Sequence, residues 1–227
     1  MDRRPHMRTR HIAPLLLAVG ACARGATTLD LSPIPVPAVV STPEAIARAR
    51  ADSAQLPWTA ADVAFMTGMI GHHAQAIAMS RLAPRNGASP SVRTLAARIT
   101  NAQTDEIQLM RQWLSDRGQP VPAADPKGMK HEMGDQSMMM LMPGMLSEAQ
   151  MAELHLARKR DFDRLFLQYM IQHHQGAVTM VQTLFASDGA GQNQTVFKFA
   201  SDVNVDQTTE IARMQRMLAG LVLGSRE

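Results

Sequence analysis

Apolar residues recur every three or four positions in several long stretches of the chain, and no segment alternates between apolar and polar residues over a convincing length. This spacing is typical of amphipathic α-helices and argues against a sheet. It predicts five helices, with a weaker sixth at 43–54: about 59–82, 89–117, 147–158, 160–186 and 194–221. The fold class is therefore predicted to be all-α.

Residues that favour helix starts lie at the beginning of these stretches. Thr59 followed by Asp62 is a capping-box pattern, while Ser89 and Pro90 supply an N-cap and a first-turn proline. Asp62 and Asp163 both lie in predicted first turns, where a carboxylate complements the helix dipole. Both are expected to be caps.

An internal repeat organises the chain. Eight residues recur at a constant offset of 101, from Asp62, Phe65, Met69, Ile70, His72, His73, Ala76 and Met79 to Asp163, Phe166, Met170, Ile171, His173, His174, Ala177 and Met180. Residues of the following helix recur at an offset of 104, so that Gln103, Glu106 and Met110 return as Gln207, Glu210 and Met214. Each repeat is predicted to be one αα-hairpin, and two hairpins should pack into an antiparallel four-helix bundle.

The pattern also divides the chain into segments. The predicted division is a lipoprotein-type signal peptide (1–21), a Pro-rich tether with a short helix (22–58), hairpin repeat 1 (59–118), a Met/Pro/Gly-rich linker (119–146), and a short helix with hairpin repeat 2 (147–224).

The N-terminus predicts export. Four arginines precede an apolar stretch too short to span a bilayer, and the only cysteine, Cys22, follows Gly20 and Ala21, as a lipidated cysteine would. We expect a lipid-anchored protein of the periplasm or cell envelope, in the outer membrane where the host has one, since Ala23 is not a retention aspartate.

Without residues 1–21 the chain has 19 basic and 19 acidic side chains. This balance gives no electrostatic basis for binding nucleic acid. A metal-transfer partner and a homodimer both stay open.

The repeated histidine pair carries the candidate chemistry. On a helical wheel, His73 lies within the apolar face near Met69, while His72 lies at its edge near Met79. Buried imidazoles need partners for their nitrogens, and a metal ion is a suitable one. The predicted metal ligands are Met69, His72, His73, Met79, Met170, His173, His174 and Met180.

The ligand types select the metal. Thioethers with imidazoles favour Cu(I), and Ag(I) by the same argument, over magnesium or calcium. A carboxylate-bridged di-iron site would require Glu-x-x-His motifs, which the chain lacks, so di-iron is disfavoured.

Further residues are candidates for additional ligands or for partners that orient the ligands. Folding each hairpin brings its second helix level with the histidines, and the linker adds a Met-x-His-x-Met pattern that could capture metal or be part of an apolar strap over the bundle. These candidates are Glu106, Met110, Glu210, Met214, Met129, His131 and Met133.

The segments FMTGMIGHHAQAIAMS, QTDEIQLMRQWL, MPGMLSEAQM and FDRLFLQYMIQHHQGAVTM closely resemble the bacterial domain-of-unknown-function family 305 over about residues 59–220. The resemblance implies an exported protein with a ferritin-like four-helix fold. It also implies periplasmic copper binding, which is attributed to some members. Carried over by position, the implied ligands are the eight histidines and methionines of the two Met-Ile-x-His-His motifs.

The sequence thus predicts an exported metal-binding protein that buffers, detoxifies or transfers copper or silver. No nucleophile is paired with a base, so no catalytic residue is predicted. Two alternatives stay open: a metal-dependent oxidoreductase in the same bundle, and an envelope interaction module whose histidines are structural.

Overall fold

The computed structural model describes residues 42–133 and 136–224. It confirms the all-α class. The elements in chain order are α1 (Pro43–Ala54), α2 (Ala60–Ser80), α3 (Pro90–Asp116), β1 (Met129–Met133), β2 (Gln136–Met140), α4 (Glu148–Leu156), α5 (Lys159–Ala186) and α6 (Gln194–Leu223).

The capping residues begin the helices where the sequence places them. Thr59 and Asp62 form a reciprocal capping box at α2, and Ser89 accepts a hydrogen bond from the Val92 backbone N–H at α3. Pro90 occupies the first turn of α3, where its missing N–H costs no helical hydrogen bond.

The four long helices form two hairpins, α2 with α3 and α5 with α6, and α2 also packs against α5. Their apolar faces meet in two separate buried clusters, and each cluster takes residues from all four helices. Apart from Ile77, one cluster combines the first half of α2 with the second half of α5, and the other combines the opposite halves. Helices α2 and α5 therefore run antiparallel, and the midpoint of each lies between the clusters.

Two buried aspartates tie the hairpins together. Asp62 accepts a hydrogen bond of 2.7 Å from the Gly191 backbone N–H, which lies in the α5–α6 loop. Asp163, its counterpart, accepts from the Ser89 backbone N–H at 3.1 Å, at the start of α3. The prediction that Asp163 caps its own helix was wrong: α5 begins four residues before it, and the carboxylate serves the other hairpin instead.

The linker departs from the prediction that the chain contains no strand. β1 and β2 form a two-stranded antiparallel hairpin in which the Met129 backbone pairs with Met140 and His131 with Met138. The alternating Met-x-His-x-Met pattern was the available signal. The side chains of 129–139 lie outside the described part of the structure, so the predicted roles of Met129, His131 and Met133 remain predictions.

After this hairpin the chain returns to the bundle as a strap, residues 142–146, in which Met145 and Leu146 are buried. The glutamine Gln75 of α2 holds the strap, because its amide donates to the Leu146 carbonyl at 3.0 Å and accepts from the Leu146 N–H at 2.6 Å.

Gly176 of α5 allows the strap to approach. A Cβ atom at this position would overlap the Pro143 carbonyl. Gln75 and Gly176 occupy equivalent positions in the two repeats, so the strap is held by one repeat and accommodated by the other.

The predicted signal peptide and the predicted lipidation of Cys22 concern the N-terminal residues, which lie outside the described part of the structure. Within the described ranges, every helix is too short or too polar to cross a membrane.

Candidate metal centre

The midpoints of α2 and α5 bring four histidines together between the two apolar clusters. All four residues are fully buried. The rings of His72 and His173, which come from different hairpins, lie 3.8 Å apart between centroids, with 37° between their planes. Neighbours within a pair are farther apart, at 6.4 Å for His72 and His73. We call these four residues, His72, His73, His173 and His174, the histidine layer.

In His72 and His174, a hydrogen bond determines which ring nitrogen carries the hydrogen and which has a free lone pair. His72 Nε2 lies 3.0 Å from the Pro143 carbonyl oxygen, and because a carbonyl only accepts, Nε2 carries the hydrogen. His174 Nε2 is likewise 2.7 Å from Glu210 Oε2. The remaining nitrogen of each ring, Nδ1, is buried and has no hydrogen-bond partner among residues 42–133 and 136–224. In the neutral ring, this nitrogen holds the lone pair that a metal would use.

The other two histidines are less satisfied. His73 Nε2 lies 2.7 Å from Glu106 Oε2, but the two atoms are not aligned as a hydrogen bond, and within the described ranges both are without a hydrogen-bond partner. Neither nitrogen of His173 has a hydrogen-bond partner there. Buried imidazole nitrogens without partners are costly, so the layer is suited to an added ligand.

Burial keeps two of the rings neutral. The pKa of His72 falls from 6.5 to about 3, first because burial penalises the charged form and then because His73 lies close; the Pro143 carbonyl opposes the shift. The pKa of His173 is lowered well below its usual value by burial and by the three neighbouring histidines. Neutral imidazole is the form that binds a metal ion.

Each apolar cluster contains a trio of buried methionines, and the two trios are related by the internal repeat. In each trio, two methionines come from one repeat and one comes from the other. The trios are Met69, Met110 and Met180 in one cluster, and Met79, Met170 and Met214 in the other. The first cluster also contains Met66, whose counterpart in the second repeat is Leu167. All eight predicted ligands are therefore buried, and each cluster contains thioethers from both repeats.

The donor set fits a soft cation better than a hard one. Among the described residues, no three His, Cys, Asp or Glu side chains surround one point as a preformed metal site. The donors buried in this region are imidazole nitrogens and methionine sulfurs, a combination that suits Cu(I) or Ag(I).

Several predictions about single residues can be compared with these positions. Glu106 and Glu210 lie level with the histidines, as predicted, and Met110 and Met214 are fully buried. His72, which was predicted to lie at the edge of the apolar face, is fully buried, because the strap covers that edge.

Three residues of this region were not predicted as part of the site. Pro143, Gln75 and Gly176 position the strap over the layer. The sequence signal was that Gln75 and Gly176 differ although they occupy equivalent positions in the two repeats.

The fold and the site define an all-α protein of two repeated hairpins around a buried histidine–methionine interior. A family model described as "Domain of unknown function (DUF305)" matches residues 62–218. The chain belongs to this family. The comparison with curated proteins gives no match.

Solved structures of relatives share the fold. A DUF305 protein from Streptomyces coelicolor, described as a candidate for secretion, is 27% identical with a TM-score of 0.59, covering 71% of this chain and 93% of its own. A DUF305 fragment from Deinococcus radiodurans is 29% identical with a TM-score of 0.58, covering 72% and 99%. CopM in its Cu(I)-bound form is 27% identical with a TM-score of 0.54, covering 72% and 98%. CopM structures with Cu(II) and with silver match as well.

Proposed function

We propose that this protein binds copper or silver ions in its interior, through the histidine layer and the flanking methionine trios. The observation that carries the proposal is the set of buried, unpartnered imidazole nitrogens between two groups of three buried thioethers within the described ranges. His72, His73, His173 and His174 would be the primary ligands. The methionines would give preference to the reduced ion.

The likeness to CopM supports the same metals. CopM is 27–28% identical to this chain and has been solved with Cu(I), Cu(II) and silver. The lowered pKa values of His72 and His173 keep both rings neutral, so binding requires little proton release from them.

The cellular role that fits is buffering, resistance or transfer of the ion in the envelope. The N-terminal arginines, the apolar stretch and Cys22 support export with a lipid anchor. Replacing Cys22 with serine should move the protein from the membrane fraction to the soluble fraction. Continued membrane association of the variant would argue against the anchor.

Titration with Ag(I) and, under reducing conditions, with Cu(I) tests the metal proposal directly. The double variant His72→Ala with His173→Ala should weaken binding by at least about 100-fold, because it removes ligands rather than residues that only orient them.

His155→Ala is the matched control, because His155 lies exposed on α4, away from the layer. The control should bind like the unmodified protein. Unchanged affinity and stoichiometry in the double variant, with its helical content intact, would contradict the proposal.

A further inference from the structure

A glutamine of α3 lies level with the histidine layer. Gln103 is four residues after Ile99 and four residues before Ile107, and these two isoleucines are buried in different apolar clusters. Residues four apart share one face of a helix, so Gln103 faces the interior between the two clusters. The histidines of the layer lie in that same interval.

Gln207 occupies the equivalent place on α6. It is four residues after Val203, which belongs to one cluster, and four residues before Ile211, which packs against the other. Gln103 and Gln207 are only 2% and 4% exposed. The two helices that carry no histidine of the layer therefore each contribute a buried amide at its level.

The oxygen atoms of both amides lack partners. Within residues 42–133 and 136–224, Oε1 of Gln103 and Oε1 of Gln207 are closed off from solvent and accept no hydrogen bond. Both ring nitrogens of His73 and of His173 are in the same condition. Buried polar atoms without partners are costly. A group of them at one level of the interior indicates a ligand that joins them.

The charge beside the layer suits a divalent ion. Glu106 Oε2 lies 2.7 Å from His73 Nε2, and Glu210 Oε2 lies 2.7 Å from His174 Nε2. In the described part of the chain, neither carboxylate forms an ion pair with a lysine or an arginine. Two carboxylates balance the charge of a divalent ion, whereas a monovalent ion would leave one of them uncompensated.

Amide oxygen changes the preference for the metal. Nitrogen and oxygen donors together are typical of Cu(II), whereas thioethers favour Cu(I) and Ag(I). The interior thus contains two kinds of partner for the same imidazoles. The methionine trios supply sulfur in the clusters, and the glutamines supply oxygen at the level of the layer.

We propose that Gln103 and Gln207 are ligands for oxidised copper, and that their amide oxygens join the imidazoles of the histidine layer to hold Cu(II). They take no part in binding Cu(I) or Ag(I). This inference rests on the metal binding proposed above, because it assigns two further donors to the same interior. It allows one set of histidines to hold either oxidation state of copper.

Replacing both glutamines with methionine tests the proposal at nearly constant side-chain size. Gln103→Met with Gln207→Met removes the two oxygens and supplies thioethers in their place. The Kd for Cu(II), measured by competition with a chelator, should rise at least about tenfold. The Kd for Ag(I) should fall or stay within about threefold, because a thioether suits that ion.

Electron paramagnetic resonance adds a readout of the ligands themselves. The copper hyperfine splitting of bound Cu(II) depends on whether oxygen or nitrogen atoms surround the ion. The splitting should therefore differ between the unmodified protein and the double methionine variant.

Gln108→Met with Gln215→Met is the matched control, because these two glutamines lie exposed on the same two helices. It should leave both Kd values within about twofold and the Cu(II) spectrum unchanged. His72→Ala with His173→Ala should weaken the binding of both ions by at least about tenfold, as expected if Cu(II) occupies the layer and not a surface histidine.

The metal-free proteins show whether the substitutions preserve the fold. Gln103→Met with Gln207→Met removes two unpaired buried oxygens, so its Tm should equal or exceed that of the unmodified protein. A lower Tm would mean that the oxygens have partners within the fold, and it would count against the proposal.

Three further results would each overturn the proposal. These are no binding of Cu(II) at the layer, a Kd for Cu(II) that the double methionine variant leaves unchanged, and equal weakening of Cu(II) and Ag(I) binding by that variant. Failure of the function proposed above would look different, because the unmodified protein and the His72→Ala, His173→Ala variant would then bind Ag(I) alike.

Discussion

His72 illustrates how one side chain is prepared for a ligand. Its Nε2 hydrogen is donated to the Pro143 carbonyl, so the ring orientation and the tautomer are both fixed before any ion arrives. Nδ1 is left buried with its lone pair free of any described partner. An outer partner of this kind commonly changes metal affinity about 10- to 100-fold, although here the partner is a backbone atom that no single substitution removes.

The depressed pKa values of His72 and His173 predict how stability depends on pH in the metal-free protein. The unfolded chain protonates both rings near pH 6.5, whereas folded His72 resists protonation down to about pH 3. The unfolded state therefore binds more protons across this window, and stability should fall as the pH falls. Each ring contributes a slope of up to about 1.4 kcal/mol per pH unit.

Urea unfolding between pH 7.5 and 4.5, with a chelator present, measures this slope. His72→Gln should make it shallower by up to about 1.4 kcal/mol per pH unit, while His155→Gln should leave it unchanged because His155 is exposed. Equal slopes in all three proteins would show that the buried rings are not the source of the pH dependence.

At the scale of elements, the strap breaks the symmetry of the two repeats. The chain has one strap but two equivalent positions that face it, and the residues at these positions differ. Gln75 forms hydrogen bonds with the strap, whereas Gly176 leaves room for its backbone. The strap positions Pro143 over His72, and within the described ranges the ring nitrogens of His173 receive no such carbonyl. The two halves of the histidine layer therefore differ chemically although their motifs match.

Gly176→Ala tests the need for this space. Alanine normally stabilises a helix interior by about 0.5–1 kcal/mol relative to glycine, but here its Cβ would overlap the Pro143 carbonyl. Displacing the strap should cost about 1–3 kcal/mol, as overpacking does. Urea unfolding should therefore show a net loss of stability.

Gly220→Ala is the matched control, since Gly220 is also helical but a Cβ atom added there would meet no described atom within 4 Å. This variant should be neutral or more stable by up to about 1 kcal/mol. If both variants were equally stable, the strap would not be tightly held against α5.

The helices were predictable because their signals are local. Apolar spacing and capping pairs such as Thr59 with Asp62 act within one or two turns, and the structure begins α2 and α3 within a residue of the predicted starts. The cover over His72 was not predictable, because it depends on a carbonyl 71 residues away. The paths of β1, β2 and the strap are set by long-range packing, which periodicity does not report.

At the scale of the whole molecule, the sequence left open whether each repeat forms its own site or contributes half of a shared one. Two observations favour sharing. The ring pair of His72 with His173 spans the two hairpins at 3.8 Å. Each methionine trio also draws on both repeats. An ion bound in the layer would then link the hairpins, in addition to the ties made by Asp62 and Asp163.

A shared site makes a distinct prediction for single variants. Ag(I) at about 100 times its Kd should stabilise the protein by about 2.7 kcal/mol, seen as a rise in Tm relative to the same protein without metal. If His72 and His173 act on one ion, His72→Ala alone should remove most of this rise, His173→Ala should do the same, and the double variant should lose little more. His155→Ala should keep the full rise. Two independent sites would instead let each single variant retain about half of the stabilisation, with losses that add in the double variant, because uncoupled sites contribute separately.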